Sequence, residues 1–450
     1  MTGVTLALAG FAVMLGAIFL RLPIAVAMGL TGFVGTWMVT GSANGSLSQL
    51  KTLSFDTFAN YSLSIVPMFL LMGQIASKSG MSAALFRAAA ALVGHRSGGM
   101  AMAAVGASAG FGAVCGSSLA TASTMGQVAL PELRARGYSD ALSTGVVAAG
   151  GTLGILIPPS VILVIYAILT EQNIVKMFAA ALIPGLLAVI GYIIAVRVVV
   201  WRNPGAAPRT ARLDRRARLA ALAQVWPVVG IFALVMGGIV GDWNWARAGV
   251  QALFTPTEGA AVGVLATAFA ALVTGGLTRA DLRDAIFETA TATGLIFAIL
   301  LGAQLFNTFL AFTQTPQALA AWVTGLGVAP VTVLLLILVC YLALGCVMDS
   351  LSMILLTIPV FFPIVQGLEF GMTPEAVAIW FGILALIVVE IGLITPPVGL
   401  NLFIINRLAG DVPLSVTYRG VAPFIAADLV RVAALVAFPG LSLWLVGLIG

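Results

Sequence analysis

The sequence predicts an all-α polytopic membrane protein, an inverted-topology repeat of two five-helix halves, each with a re-entrant helical hairpin and a helix broken at Pro-Pro. Three observations predict it: the scarcity of charge, the placement of the charge that remains, and three motif pairs recurring at nearly constant spacing. Of 450 residues, 61% are apolar, 8% are charged and 50 are glycine, with a mean hydropathy of +1.12. A soluble domain carries about 25% charged residues and leaves much of its area in water. A soluble enzyme, a nucleic-acid binder and a disordered chain are therefore excluded. The Leu/Ala/Val/Ile/Gly runs of about 20 residues match a hydrocarbon core about 30 Å thick. The ~10-residue alternating segments of a β-barrel are absent from the pattern.

Ten segments read as spans: 3–20, 23–40, 62–78, 138–170, 175–196, 221–241, 248–274, 291–311, 374–405 and 432–449. The first has no basic residue ahead of its apolar run and reads as a retained helix rather than a signal peptide. Two further stretches, 99–133 and 329–367, are apolar but interrupted halfway by Gly, Ser or Asp. Each is two spanning helices or one re-entrant hairpin, and either way the chain returns to its starting side. Ten crossings put both termini on one side, and Lys/Arg counting chooses the periplasm. With the termini there, 18 basic residues face the cytoplasm, Arg134, Arg419 and Arg431 among them, and only Lys51, Lys176 and Arg247 face outward. Trp37, Trp243, Trp245 and Trp444 then fall near outer helix ends, and Trp201 and Trp226 near inner ones. The dense basic run from Arg197 to Arg218 marks a cytoplasmic linker, residues 200–220, in reach of anionic lipid. The three cysteines fit no metal spacing.

The linker separates halves 1–199 and 221–450, and motifs repeat across it. Arg21-Leu-Pro23 is echoed at Pro256. Gly112-Ala-Val-Cys-Gly-Ser117 pairs with Gly345-Cys-Val-Met-Asp-Ser350 at an offset of 233, and Gly154-Ile-Leu-Ile-Pro158-Pro159 with Gly392-Leu-Ile-Thr-Pro396-Pro397 at 238. Each half has five crossings, an odd number, so the second must enter the membrane upside down. Transporters built this way bind at the repeat interface near the midplane.

In the first hairpin a break at Gly116 leaves the N-terminus of the second arm pointing inward, where its free N–H groups favour an anion. The carbonyls ending the first arm, with the Ser117 and Ser118 hydroxyls, suit a hard cation such as Na⁺. The alternative is a small-xxx-small packing seam, which Gly106/Gly110 and Gly112/Gly116 both fit. In the second hairpin Asp349 sits mid-way through an apolar stretch, at the position facing Gly116 in the repeat; buried Asp is costly. It also reads as a cap for the following arm, with Ser350 assisting, and the two roles are compatible. The paired prolines, Pro158-Pro159 and Pro396-Pro397, remove donors and clash with the preceding turn. Each is a kink, or an unwound stretch whose freed carbonyls form a cation site opposite a hairpin tip. Glu390 and Glu258 are the other acids in apolar segments, the latter explained by its first-turn position. No Lys or Arg lies near the expected midplane, so the arm N-termini and bound cations must supply the potential for an anion. Gly106-Ala-Ser108-Ala-Gly110 matches a nucleophile-elbow pattern, but it lies in a membrane hairpin and the only histidine, His95, sits beside Arg96 at a boundary. An enzyme or scaffold is disfavoured by the lack of paired acid/base residues.

Gly112 to Tyr138 (GAVCGSSLATASTMGQVALPELRARGY), GGTLGILIPPS at 150–160, PTEGAAVG at 256–263, MDSLSMILLTIPVFFPI at 348–364 and ITPPVGLNLFI at 394–404 occur in that order. Over essentially the whole chain the sequence resembles the large membrane subunit of tripartite ATP-independent periplasmic (TRAP) transporters, of the ion-transporter superfamily. The resemblance implies a bacterial inner-membrane protein that is not an enzyme. It implies an elevator mechanism driven by a Na⁺ gradient and a carboxylated solute, such as a C4-dicarboxylate or sialic acid. It also implies two partners, a periplasmic solute-binding protein and a small four-helix membrane subunit, the latter expected as a separate chain. Carried onto this sequence, the Na⁺ sites become Ser117, Ser118, Gly151 and Thr152 in the first half and Asp349, Ser350, Thr395 and Asn401 in the second. The solute is expected against Gly116, Ser117, Ser350, Pro158 and Pro396. The rival of the same architecture is a stand-alone Na⁺-coupled dicarboxylate or citrate symporter, which needs no binding protein.

Overall fold

The computed structural model describes residues 3–241, 252–325 and 327–449, which contain helices and no strand. The first half runs α1 (Gly3–Phe19), α2 (Ile24–Thr40), α3 (Ala43–Phe58), α4 (Ile65–Lys78), α5 (Met81–Val93), α6 (Gly99–Cys115), α7 (Ser118–Ala135), α8 (Asp140–Leu156), α9 (Val161–Leu169) and α10 (Ile174–Arg202). After the linker and α11 (Arg215–Ala223) come α12 (Trp226–Ile239), α13 (Pro256–Val273), α14 (Arg279–Phe312) and α15 (Thr315–Gly325). The chain continues through α16 (Pro330–Gly345), α17 (Ser350–Gln366), α18 (Pro374–Gly392), α19 (Leu400–Ala409) and α20 (Leu414–Ala437) to the short α21 (Gly440–Leu443) and α22 (Val446–Ile449).

Local chemistry sets these boundaries. Ser139, Ser160 and Thr373 cap α8, α9 and α18 by accepting from the backbone N–H three residues on. Thr255 with Glu258, and Thr278 with Asp281, form capping boxes on α13 and α14. That accounts for Glu258 as a local device. Pro158 and Pro159 have no N–H to continue α8, so it stops at Leu156 and resumes as α9 at a bend of 45°. Pro396 and Pro397 likewise lie in the seven-residue gap between α18 and α19.

Five described helices are long and apolar enough to cross a membrane, and three bent pairs raise the number to eight. The 17-residue α1 and α2 complete the ten expected segments. The boundaries differ in three places. The segment expected at 291–311 is the C-terminal part of a 34-residue helix whose capped start is at residue 279. The last span is α20, not 432–449, because its polar first turns hid it. The polar α3 was not expected at all. Trp243, Trp245, Arg247 and the start of the expected 248–274 segment lie outside the described residues.

The two halves interlock by reciprocal exchange. α2 packs on α14 while α13 packs on α4; α7 packs on α19 while α17 packs on α9; α8 packs on α20 while α18 packs on α10. Each hairpin also packs on the broken helix of its own half, α6 and α7 on α8, α16 and α17 on α18. The repeated glycines make this possible. A Cβ on Gly112 would stand 2.6 Å from the Gly154 Cα, and one on Gly345 would stand 3.1 Å from the Gly392 Cα. The same sequence-matched pair is thus a backbone-to-backbone contact in both halves. α8 and α18 are buried along almost their whole length, so the two broken helices form the centre. Apolar residues of α1, α2, α13 and α14 are exposed on the outside of the bundle.

Candidate functional site

Only Gly116 and Ser117 separate α6 from α7, and residues 346–349 separate α16 from α17. Gly116 ends α6 in the left-handed conformation (φ 65°), and its N–H closes on the Gly112 carbonyl at 2.9 Å. A Cβ there would stand 3.1 Å from the Pro159 carbonyl oxygen. The first tip therefore abuts the break of α8–α9 and stops part-way along that rod. The second tip abuts the other break: Gly399 N donates to the Cys346 carbonyl at 3.0 Å, and Cys346 Sγ lies 3.4 Å from the Pro396 carbonyl oxygen.

Ser117 caps α7 by accepting from Ala120 N at 3.4 Å, and Asp349 caps α17 by accepting from Ser352 N at 3.0 Å. Asp349 is therefore the structural counterpart of Ser117, not of Gly116 as the sequence offset suggested. α16 ends at the position matching Gly112, and its longer tip shifts the register by one. Ser118 and Ser350 are then equivalent first residues of their arms, and both meet one side chain. Glu390, on α18 and 1% exposed, accepts from Ser118 Oγ at Oε2 and from Ser350 Oγ at Oε1, the latter at 2.7 Å. The two tips are joined through a single buried carboxyl group.

The other expected residues divide. Asn401, fully buried on α19, reaches into the first half, where its Nδ2 donates to the Ala148 carbonyl at 3.5 Å and lies beside Gly151. Its Oδ1 has no hydrogen-bond partner among the described residues. Thr395 lies at the second break, its hydroxyl donating to the Ile391 carbonyl at 2.6 Å. Pro158 is buried and Pro396 exposed. Thr152 points elsewhere: its hydroxyl donates to the Ala149 carbonyl and lies 2.9 Å from the Tyr192 hydroxyl, which donates to Asp428 Oδ2 at 2.7 Å. Asp428 pairs with Arg431 Nη2 at 2.8 Å. This corrects two expectations. Arg431 is 5% exposed within α20 and not in a cytoplasmic loop, and a basic residue does lie buried among the central helices. It was missed because drawing the span from 432 left Arg431 outside; opposite charges at i and i+3 within the apolar run 421–437 were the available signal.

Thr121 is a further addition. One turn beyond Ser117 on α7, its buried hydroxyl faces Gly154 beside the Ser117 carbonyl and lies next to the Cys115 thiol. The Thr121 hydroxyl, the Asn401 amide oxygen and the Ser117 carbonyl are hard oxygen donors, the type that alkali cations take. Ser108 of the nucleophile-like pattern is buried inside α6 against Gly150, a packing position.

The chain matches the family described as tripartite ATP-independent periplasmic transporter, DctM component, over residues 11–441. Relatives include the C4-dicarboxylate TRAP transporter large permease protein DctM of Pseudomonas aeruginosa, 36% identical over 93% of this chain and 94% of that protein. The sialic acid large permease protein SiaM of Vibrio cholerae is 32% identical over 86% of each chain. The ectoine/5-hydroxyectoine large permease protein UehC of Ruegeria pomeroyi is 29% identical over 97% of each. Among solved structures, the YdaH transporter of Alcanivorax borkumensis shares the fold, with a TM-score of 0.62 at 16% identity over 88% of this chain and 89% of that one. The protein is a multi-pass membrane permease belonging to the DctM, or large-subunit, family of TRAP transporters.

Proposed function

We propose that this permease is the transport subunit of a Na⁺-driven secondary transporter of the bacterial inner membrane, importing a carboxylated small solute by an elevator movement. The observation that carries the reading is the junction of both hairpin tips on Glu390, each tip lying against a Pro-Pro break. Halves 1–199 and 221–450, joined by the cytoplasmic linker 200–220, enter the bilayer in opposite senses with both termini periplasmic. One cation binds among the Ser117 carbonyl, Thr121, Gly151 and Asn401, the second between Asp349 and the Thr395–Gly399 turn. The solute carboxylate meets the first N–H groups of the arms that begin at Ser118 and Ser350, next to Gly116 and Ser117. A periplasmic binding protein delivers it and a small four-helix membrane subunit braces the complex. The relatives, named for C4-dicarboxylate, sialic acid and ectoine, favour this over a stand-alone symporter.

Two ion pairs support a block that moves as one. Arg134, at the end of α7, pairs with Asp140 at the start of α8 (2.9 Å) and with Asp411 between α19 and α20 (2.8 Å). The first hairpin, its own broken helix and the broken helix of the other half are thereby tied together. The test is uptake into proteoliposomes carrying both membrane subunits, with binding protein outside and a panel of labelled organic acids. Uptake should require an inward Na⁺ gradient. Undiminished uptake in Na⁺-free buffer under a proton gradient would overturn the coupling.

A further inference from the structure

A cavity of about 730 Å³ opens where the C-terminal end of α10 meets the turn between α5 and α6. Its lining includes Arg96 from that turn, Arg197 from α10 and Arg209 from the linker, with His95 and Trp201 beside them. Three guanidinium groups from three separate segments thus face one space. Among the described residues none of the three has a carboxylate or any other side chain as hydrogen-bond or ion-pair partner. Unpaired like charges brought together by a fold repel, and an anion seated between them removes the repulsion.

An apolar track leads to this cavity. Leu186, Ile190, Ile194, Val198 and Trp201 are all exposed on α10 and recur every three or four residues, so they share one helix face. From Ile190 to Trp201 that face runs roughly 16 Å at 1.5 Å per residue, about half of a 30 Å hydrocarbon core. Trp201, 79% exposed, stands at the head of the track, and an indole is the side chain that favours headgroup level. A free phosphate or an acidic peptide segment would use the arginines but not the track.

We propose that this cavity is a binding site for an anionic phospholipid, its phosphodiester among Arg96, Arg197 and Arg209 and one acyl chain along the exposed face of α10. Basic pockets at the cytoplasmic ends of membrane helices take such headgroups. The lipid would pin α10 to the bilayer surface at the point where the chain leaves for the linker.

The test is native mass spectrometry of the purified full-length protein titrated with dioleoylphosphatidylglycerol, dioleoylphosphatidylcholine or inorganic phosphate. One phosphatidylglycerol should bind more tightly than phosphatidylcholine. The Arg96→Gln/Arg197→Gln/Arg209→Gln variant should weaken it on the order of 100-fold, given about fivefold per arginine at an anionic surface. The corresponding triple lysine substitution keeps the charge and should retain most of the binding, which separates loss of the site from loss of the fold. Ile190→Ser/Ile194→Ser should weaken the long-chain lipid while keeping the arginines in place. Equal phosphatidylglycerol binding by the wild type and the glutamine variant would overturn the proposal. So would inorganic phosphate binding as tightly as the lipid, which would make the site one for a free anion. Loss of the small membrane subunit from the glutamine variant, with lipid binding unchanged, would assign the surface to a protein and equally overturn it.

Discussion

Glu390→Ala should cripple transport by releasing the two hairpin tips from one another. The side chain is 1% exposed and takes one hydroxyl donor on each oxygen, from Ser118 and from Ser350. Its removal leaves two buried hydroxyls without partners, at about 1–3 kcal/mol each, or about 2–6 kcal/mol together. At 1.4 kcal/mol per decade, the arrangement with both tips docked loses roughly 30-fold to 10⁴-fold in population. The maximal uptake rate in proteoliposomes should fall at least about tenfold, with the purified protein still eluting as a single peak in size exclusion. Glu390→Gln is milder: the amide oxygen accepts from one serine, but the amide nitrogen can only donate to the other. One hydrogen bond reverses and the loss should be about 1 kcal/mol. The decisive measurement is the combination of substitutions. Ser118→Ala and Ser350→Ala should each reduce uptake in the wild type, yet add almost nothing in the Glu390→Ala background, because the shared partner is already gone. If the serine and glutamate losses multiply as independent effects, the tips are not coupled through Glu390 and the proposed site falls with it.

Two further outcomes follow from charges the structure pairs. Arg431→Ala strands Asp428 as a buried acid and should cost about 3–5 kcal/mol, read as loss of folded protein in detergent; Asp428→Leu/Arg431→Leu, which removes both charges, should recover most of it, and a double variant as unstable as the single would refute the pairing as the cause. At the C-terminal end of α7, the Arg134 guanidinium hydrogen-bonded to Asp411 holds that carboxyl below the usual aspartate range. A depressed carboxyl contributes stability above its unfolded value, near 3.9, and loses it as pH falls through the folded value. Asp411→Asn should therefore lower the melting temperature at pH 7 and low salt, and the gap should narrow at a pH below the unfolded value and shrink in 1 M salt. A gap of equal size at both pH values would show that the ion pair is not its source.

Much of the fold was legible because hydrocarbon is a severe solvent. Every spanning backbone group must be satisfied within its own segment, so apolar length and Pro or Gly interruptions map directly onto helices and breaks. The tip at Gly116 and the breaks at Pro158 and Pro396 fall where glycine and proline stand, and the second tip follows Gly345 and ends on the capping Asp349. What stayed hidden depends on direction around a helix axis rather than position along it. Ser117 and Ser118 are neighbours in sequence, yet one caps its own arm and the other leaves the hairpin for Glu390. Gly151 and Thr152 diverge in the same way, one beside Asn401 and the other toward Tyr192. The polar α3 and the early start of α20 escaped for a different reason: polar turns carry no apolar run to announce them.

The repeat offset bears on why a single carboxyl holds both tips. At 238, the spacing that matches Gly154 to Gly392, Glu390 matches Thr152. A strict repeat would place an acid at both positions, on two buried central helices whose hairpin tips meet. Two like charges in so dry a region repel strongly, and at most one would remain ionised. The chain instead keeps the acid on α18, where it reaches the serines of both hairpins, and puts a threonine on α8. That threonine contacts Tyr192, which hands the network on to Asp428, and there the acid has Arg431 as its counter-charge. The two halves are thus alike in backbone and unlike in charge. The sequence-matched glycines bring the hairpins to equivalent places, and the departure from symmetry at residues 152 and 390 lets one side chain hold both.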